Sequence, residues 1–463
     1  MTASRRTLSV VNPATGELVR ELACDHAASV AAKYRAARAA QAAWAAFPLA
    51  TKRKAMVRFR DGLASKQAQL AAVLTRETGK PIRQARREIE GVRERIDFFL
   101  AKAGGALRPE VVLTDRASGL TEKITHEPLG VITNISAWNY PYFVGGNVFL
   151  PALLAGNTVL YKPSEWATLS GLAMAQLLHD SGIPRDVFIP IVGAAAAGEA
   201  LIRQPVDGVF FTGSYRTGRR IAARLGRRLI KIQLELGGKD PVYVCEDAPV
   251  ERVAAAIADG AFYNTGQSCC SVERIYVHER IFPRFVAAFV QVVKAYRIGD
   301  PTKDSTYIGP ITRPAQLEVL EAQVRDAREK GARVLLGGKR VAGRPNYFQP
   351  TILVNVDHTM TVMREESFGP IVGLMAVPDD AEAVALMNDS DFGLTAGVYT
   401  PNRRRAEGLL AQVKSGSAYW NCCDRVSPRL PWSGIGHSGI GVTLSTYGIQ
   451  TFTRPKAWHL RGP

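Results

Sequence analysis

Between residues 130 and 234, short apolar runs alternate with helical stretches, and this rhythm restricts the fold more than any other feature of the chain. The runs are Gly130–Ile135, Thr158–Tyr161, Val187–Val192, Gly208–Phe211 and Leu229–Leu234. Helical stretches separate most of them, which predicts a mostly parallel sheet. A second set follows: helix over 250–264, strand over 273–277, helices over 281–295 and 314–330, strand over 371–376, helix over 380–388. Two α/β domains joined near 237–240 and again near 430 account for both sets. Ahead of them, residues 26–103 read as helices, Ala-rich with Arg, Glu and Gln on the polar faces. Residues 107–130 differ. Val111–Thr114 and Thr121–Thr125 flank Ser118-Gly119, which fits two strands and a turn.

A chain of 463 residues exceeds one ordinary core, so two or three domains are expected. No apolar run approaches the ~20 residues that cross a bilayer, and residues 1–16 lack an apolar signal core. A cytoplasmic protein with no membrane partner is expected. The six cysteines, Cys24, Cys245, Cys269, Cys270, Cys422 and Cys423, form no CxxC pair, which suits reduced thiols. The seven histidines form no HExxH and no Cys/His cluster, so no zinc site is predicted. Arginine dominates the net charge of +17, as in Arg83–Arg87 and the six arginines from Arg216 to Arg228. Solvated helix faces explain this charge, and an anionic substrate or cofactor phosphate is a second reading. The basic residues are dispersed without a nucleic-acid motif, so no nucleic-acid partner is expected.

Several segments carry chemistry. In Gly266-Gln267-Ser268-Cys269 a thiol follows a polar turn that bends tightly and leaves sulfur exposed. In Leu234–Lys239 one carboxylate, Glu235, ends an apolar run before Gly237-Gly238. A nucleophilic cysteine with a carboxylate able to activate water suggests two-step covalent catalysis. Val209–Ser214 followed by a helix with Gly218 is a strand, turn and helix start that favours an anion. A plain tight turn explains the same residues. Lys162 and Glu165 end another strand, where they can hold ribose hydroxyls or simply pair at the surface. Asn139, after the strand over 130–135, can donate to an oxyanion or sit in a loop. Gly434–Gly439 matches GxGxxG, but too little chain follows for a βαβ unit, so it reads as a tight loop. Tyr142, Phe143, Trp420 and Trp432 read as core or interface aromatics, and Cys270 as a bystander.

Together these segments resemble the aldehyde dehydrogenase superfamily over nearly the whole chain. The matching segments, in family order, are Asn12–Gly16, Pro128–Val131, Trp138–Pro141, Lys162–Glu165, Phe211–Ser214, Glu235–Lys239, Gly266–Cys269 and Glu365–Pro370. The resemblance implies an α/β fold of two doubly wound α/β domains plus a β-hairpin oligomerisation element. The dinucleotide-binding domain would take 1–109 and 130–236, the catalytic domain 237–435, and the oligomerisation element and tail 110–129 and 436–463. It implies that Cys269 is the nucleophile and that Asn139 and the Cys269 backbone N–H hold the oxyanion. Glu235 would activate water against the thioester, with a pKa raised by its apolar surroundings. Lys162, Ser164 and Glu165 would bind the adenosine ribose, Gly213 and Ser214 the pyrophosphate, and Glu366 the nicotinamide ribose beside Phe368. Ile135, Trp138, Gly193, Phe211 and Leu236 would complete the cofactor site. A homodimer or homotetramer is implied, with the exposed hairpin edge inviting pairing.

Departures from the family bear on substrate and assembly. The late signature, usually PFGGxKxSGxGRE, has Gly436, Val442 and Thr443 in place of its Lys, Arg and Glu. These changes are expected to alter local contacts of the tail away from the chemical centre. Tyr263 and Asn147 stand where succinic semialdehyde enzymes of the family carry carboxylate-binding arginines, and Asn147 also departs from the aromatic box of betaine aldehyde enzymes. Tyr142, Phe143 and the loop 424–430 are expected to shape the tunnel. An uncharged aliphatic or aromatic aldehyde is the preferred substrate, with Arg425 and Arg429 leaving an anionic one open. Glu165 would repel a 2′-phosphate, so NAD is preferred and NADP tolerated. The rival readings are a CoA-acylating aldehyde dehydrogenase and a non-enzymatic binding protein on the same fold. Glu235 argues against the first, and the intact set Cys269, Glu235 and Asn139 against the second.

Overall fold

The computed structural model describes residues 7–462. A six-stranded sheet runs in the order Gly439–Ile440, Lys231–Glu235, Gly208–Thr212, Val131–Ile135, Thr158–Lys162, Phe188–Pro190. All neighbours are parallel except Gly439–Ile440. The chain begins at Val131–Ile135 and winds outward to Phe188–Pro190. It then returns to lay Gly208–Thr212 on the other side of its first strand. Strand order reverses there, and open α/β sheets bind ligands in the crevice beyond the strand ends at such a reversal. Residues 136–139 and 213–214 leave the sheet at that crevice.

A seven-stranded sheet is built from Arg333–Leu336, Thr351–Val354, Ile371–Val377, Val272–His278, Asp240–Val244, Thr395–Tyr399 and Ser417–Trp420, in that order. Only its first pair is antiparallel. Residues 236–239 carry the chain from the first sheet to the second, and it returns at Gly439–Ile440. Helix Val250–Phe262 packs on the second sheet through Val250, Val253, Ala254, Ile257, Ala258 and Ala261, the three-and-four spacing of a single apolar face. An antiparallel three-stranded sheet joins Thr453–Arg461, Leu120–Pro128 and Glu110–Asp115. Among the described residues no helix is long and apolar enough to cross a membrane.

The region 26–103 forms four helices, Ala27–Ala46, Leu49–Ser65, Gln67–Thr78 and Ile82–Ala106. Pro48 and Pro81 open the second and fourth, and Gly79 closes the third at φ +78°. Other expectations move. The run Leu229–Leu234 becomes the strand Lys231–Glu235, because Leu229 is fully exposed and lies outside it. The helix expected to reach residue 264 stops at Phe262, because Asn264 and Thr265 adopt φ 52° and 60°. Strands Asp240–Val244 and Thr453–Arg461 have no counterpart among the expected elements. The first carries Pro241, and the second is mostly exposed and polar.

The glycine-rich loop at 434–439 is tight, and it also adds the edge strand. Gly439 pairs with Glu235 and Ile440 with Leu234. Gly439 takes φ +121°, and a Cβ there would stand 1.9 Å from the Leu234 carbonyl oxygen. Only glycine permits both the backbone angle and this approach. Gly439→Ala is expected to cost at least ~1–3 kcal/mol from backbone strain alone, measured as a lowered denaturant midpoint. Unchanged stability would contradict the close pairing.

Candidate active site

The two sheets meet at the short crossing segment, and its sequence explains how. Glu235 is the last residue of its strand and is 6% exposed. Gly237 and Gly238 follow it. A Cβ on Gly237 would lie 2.4 Å from Glu366 Oε1, and one on Gly238 would lie 2.4 Å from the Cys269 carbonyl oxygen. The paired glycines thus let the Glu235 segment, the Cys269 turn and Glu366 converge. The Gly238 N–H donates to Glu366 Oε1 at 3.1 Å.

Cys269 is delivered by a buried left-handed turn. Asn264, Thr265 and Gly266 have φ of 52°, 60° and 70° in succession. Such a run in non-glycine residues persists only where its surroundings over-determine it. Asn264 Nδ2 donates to the Asn139 and Gln267 carbonyls at 3.1 and 3.0 Å, and the Asn264 N–H donates to Gln84 Oε1 at 2.9 Å. Gln267 Nε2 donates to the Asn264 carbonyl at 3.1 Å, and Gln267 Oε1 accepts from the Thr312 N–H at 2.9 Å. Thr265 Oγ1 accepts from the Gly309 N–H at 3.0 Å. A Cβ on Gly266 would stand 2.3 Å from the Gly369 carbonyl oxygen. The amide of Asn264 also ties the turn to Asn139, itself 4% exposed, so the candidate nucleophile and oxyanion donor share one scaffold.

The electrostatics follow from burial. Burial pushes the Glu235 carboxyl up to about 7, against hydrogen bonds from Cys269, Trp432 and Thr212 that favour its ionised form. The Cys269 thiol is pushed well up by its contact with the Cys270 sulfur, by burial and by the nearby Glu235. At rest, therefore, the thiol holds its proton, and the Glu235 carboxylate lies within hydrogen-bonding reach to receive it. Cys270, expected to be a bystander, is engaged: its Sγ donates to Asp424 Oδ1 at 3.0 Å, and Ser268 Oγ donates to the same oxygen at 3.2 Å. Burial raises the Asp424 carboxyl to about 7.

The residues suggested for a dinucleotide lie along the reversal crevice. Ile135 ends its strand, Phe211 pairs with it one residue before the end of the neighbouring strand, and they are 9% and 6% exposed. Gly213 and Ser214 lead into helix Tyr215–Leu225, whose first N–H groups favour an anion. Leu236 packs against this helix, since a Cβ on Gly218 would meet Leu236 Cδ2 at 2.5 Å. Lys162 ends the next strand, with Nζ donating to the Pro163 carbonyl at 3.1 Å and lying 3.8 Å from Glu165 Oε2. Burial lowers the Lys162 pKa. Ser164 Oγ donates to Glu165 Oε2 at 3.5 Å. Gly193, at φ +137°, precedes helix Ala195–Ile202 in close contact with Ala197. On the opposite side, the Trp138 and Phe368 rings meet edge to face at 5.4 Å. Burial raises the Glu366 carboxyl to about 8.

Several supporting residues have no role assigned by the sequence, although Lys239 and Ser367 lie inside the matching segments. Lys239 Nζ lies 2.5 Å from Glu273 Oε2 and donates to Ser367 Oγ at 3.1 Å. Glu273 accepts from the Ser367 and Phe368 N–H groups, which fixes the segment carrying Glu366. A detectable signal exists, because Glu273 and Arg274 are charges inside a wholly buried strand. Trp432, expected to be a core or interface aromatic, has an Nε1–H that donates to Glu235 Oε1 at 3.3 Å. Trp432 pairs in turn, backbone to backbone, with Thr443, which is one of the three departures in the late signature. Tyr142 does not line a tunnel: it is fully buried, with its hydroxyl donating to the Leu70 carbonyl.

Residues 1–458 match the aldehyde dehydrogenase family. A succinate-semialdehyde dehydrogenase (NADP+) of Deinococcus radiodurans is 34% identical over 452 residues, covering 97% of this chain and 94% of that protein. A betaine aldehyde dehydrogenase of Brucella melitensis is 34% identical over 442 residues, covering 94% and 90%. The solved structure of lactaldehyde dehydrogenase from Escherichia coli superposes with a TM-score of 0.95 at 33% identity, covering 100% of this chain and 97% of that one.

The Trp432 contact has a measurable consequence. Its hydrogen bond favours ionised Glu235, so Trp432→Phe is expected to raise the Glu235 pKa above its value of about 7. The shift should be roughly one unit, equivalent to a ~1.4 kcal/mol hydrogen bond to a charged group. The pH–rate profile reads it. An unmoved midpoint would contradict the contact.

Proposed function

The chain belongs to the aldehyde dehydrogenase family and oxidises aldehydes to carboxylic acids with NAD or NADP; from that premise we propose that Cys269 is the nucleophile and Glu235 the base. The observation that carries this division is the proximity of the half-buried Cys269 thiol to the buried Glu235 carboxylate, each acting on the other's titration where the two sheets meet.

As Sγ attacks the aldehyde carbon, its proton passes to Glu235. The carbonyl oxygen becomes an oxyanion, held by the Asn139 side-chain amide and the Cys269 N–H. Removing one such donor typically costs ~2.7–4 kcal/mol of transition-state stabilisation. The bound dinucleotide supplies the acceptor for the aldehydic hydride, and a thioester to Cys269 remains. Glu235, having released its proton to solvent, then takes one from water as the water oxygen adds to the thioester carbon. The C–S bond breaks, the carboxylic acid leaves, and the departing sulfur takes the proton from Glu235, which restores the thiol and the carboxylate.

The cofactor fits the chain's own groups. Gly213, Ser214 and the helix start at Tyr215 suit a pyrophosphate. Lys162, Ser164 and Glu165 suit the adenosine ribose, and Glu366 the nicotinamide ribose, with Phe368 and Trp138 packing beside it. Gly193, Ile135, Phe211 and Leu236 supply walls. Glu165 is a carboxylate beside the ribose position and disfavours a 2′-phosphate, so NAD is preferred and NADP accepted. On this reading residues 1–109 and 130–236 bind the dinucleotide and 237–435 carry the catalytic residues. Residues 110–129 and 436–463 serve assembly into a dimer or tetramer. Val111, Val112 and Leu113, all exposed on the outer strand of the three-stranded sheet, supply the sticky edge. The cytoplasm is the compartment that suits the free thiols.

Two outcomes test the roles. Glu235→Gln should lower kcat by ~10²–10⁴-fold, while in the wild type the rate should rise as pH passes through about 7. The sign for stability is opposite. A carboxyl raised from 4.5 to about 7 by folding destabilises the native state as pH climbs through that interval. Glu235→Gln should therefore unfold at higher temperature than the wild type above pH ~7 and lose that advantage below pH ~4.5. A rate independent of Glu235, or turnover strictly dependent on CoA, would overturn the hydrolytic mechanism. Cys269→Ser should abolish oxidation and keep cofactor binding.

A further inference from the structure

Arg95 is a buried cation whose hydrogen-bond partners are all neutral, and the Glu88 and Glu94 carboxylates act on it without bonding to it. It projects from the buried face of helix Ile82–Ala106 and is 3% exposed. Its Nε donates to Asn147 Oδ1 at 2.8 Å, Nη1 to the Gly91 carbonyl at 3.0 Å, and Nη2 to the Val426 carbonyl at 3.4 Å. The guanidinium carbon lies 3.9 Å from the centroid of the Phe143 ring. Other buried cations differ in their partners, and Lys52 alone resembles Arg95, with the Ala45 carbonyl and the Trp44 ring as its neighbours. Lys80 is paired with Glu88 and Lys239 with Glu273. Arg274 has no carboxylate, but it donates to the Lys239, Leu386, Met387 and Asp389 carbonyls and to the Tyr276 hydroxyl, which occupies its fork. A guanidinium has five N–H donors. Arg95 makes three bonds, one of them long, and so two N–H groups remain.

The position of this charge matters. Phe143 and Val426 are half-buried, and the Cys270 sulfur, on the residue that follows Cys269, lies close enough to act on the charge of the guanidinium, which therefore stands near the nucleophile. Asp424, the carboxyl on the same loop as Val426, is engaged by Cys270 and Ser268. Asn147 fixes the plane of the guanidinium through Nε. Taking a cation out of water without an anionic partner is costly. A substrate anion that supplied the partner on binding would recover part of that cost, and a planar guanidinium with free N–H groups matches a carboxylate.

We propose that Arg95 is a specificity-determining residue and that it recognises a carboxylate at the end of the substrate remote from its aldehyde, making ω-carboxylated aldehydes the preferred substrates. This rests on the Cys269 reading, and it changes the substrate expected from the sequence, where Asn147 speaks for an uncharged aldehyde. Asn147 instead orients an arginine that arrives from a different helix.

The test compares 4-oxobutanoate and 5-oxopentanoate with butanal and pentanal. The wild type should show kcat/KM at least tenfold higher for the carboxylated pair. Arg95→Met should lower that ratio at least tenfold, chiefly through KM, and Arg95→Lys should restore part of it. A wild-type ratio at or below one overturns the proposal, whether or not the variants fold. So does a ratio unchanged in a folded Arg95→Met, which would leave Arg95 only the role of pinning Val426. Wild-type protein that oxidises the neutral pair but not the carboxylated pair refutes the proposal alone. Wild-type protein that oxidises neither pair refutes the Cys269 reading beneath it.

Discussion

The left-handed turn at Asn264–Gly266 is the constraint on which the rest of the site depends. Three consecutive residues with positive φ reverse the chain after helix Val250–Phe262 and aim Cys269 at the junction of the sheets. Two non-glycine residues in that conformation cost of order 1–3 kcal/mol each. The strain is held by amides: Asn264 bonds to Asn139 and Gln267, and Gln267 bonds back to Asn264 and to Thr312. The bonds that stabilise the turn therefore also tie the segment carrying the thiol to Asn139. A looser turn would lose both together.

Around this turn the protein arranges charge by burial. Glu235 and Glu366 are carboxyls raised to about 7 and about 8, and the Cys269 thiol is raised well above its usual range. The resting site is thus poised close to neutral, and proton transfer between thiol and carboxylate costs little net charge. The salt-bridged pair nearby, Lys239 and Glu273, acts on the backbone instead. It clamps Ser367 and Phe368 and so carries Glu366 to Gly238. Arg95 lacks such a partner and donates only to neutral acceptors.

The chain's legibility divides along physical lines. The alternation over 130–234 is readable because strands buried on both faces are rich in apolar residues, as in Val131–Ile135 and Thr158–Lys162. Leu229 misleads because an apolar residue need not be inside. Thr453–Arg461 is hidden because its side chains face solvent and its order comes from pairing with Leu120–Pro128. Cys269, Glu235 and Asn139 stand out as local motifs. Trp432 and Arg95 do not, because their roles are contacts across the fold: 197 residues separate Trp432 from Glu235, and 331 separate Arg95 from Val426. No local pattern encodes such pairs. The glycines are half-legible. Gly237 and Gly238 are visible as a break, but their approach to Glu366 and to the Cys269 carbonyl emerges only in three dimensions.

The central claim is that substrate carbon becomes bonded to one sulfur of an adjacent pair, Cys269 rather than Cys270. Acid quenching during turnover with aldehyde and NAD, followed by peptide mass spectrometry, tests it directly. The account predicts an acyl mass on Cys269, greater in Glu235→Gln than in the wild type. An acyl mass on Cys270, or none on either cysteine while reduced cofactor accumulates, would contradict it.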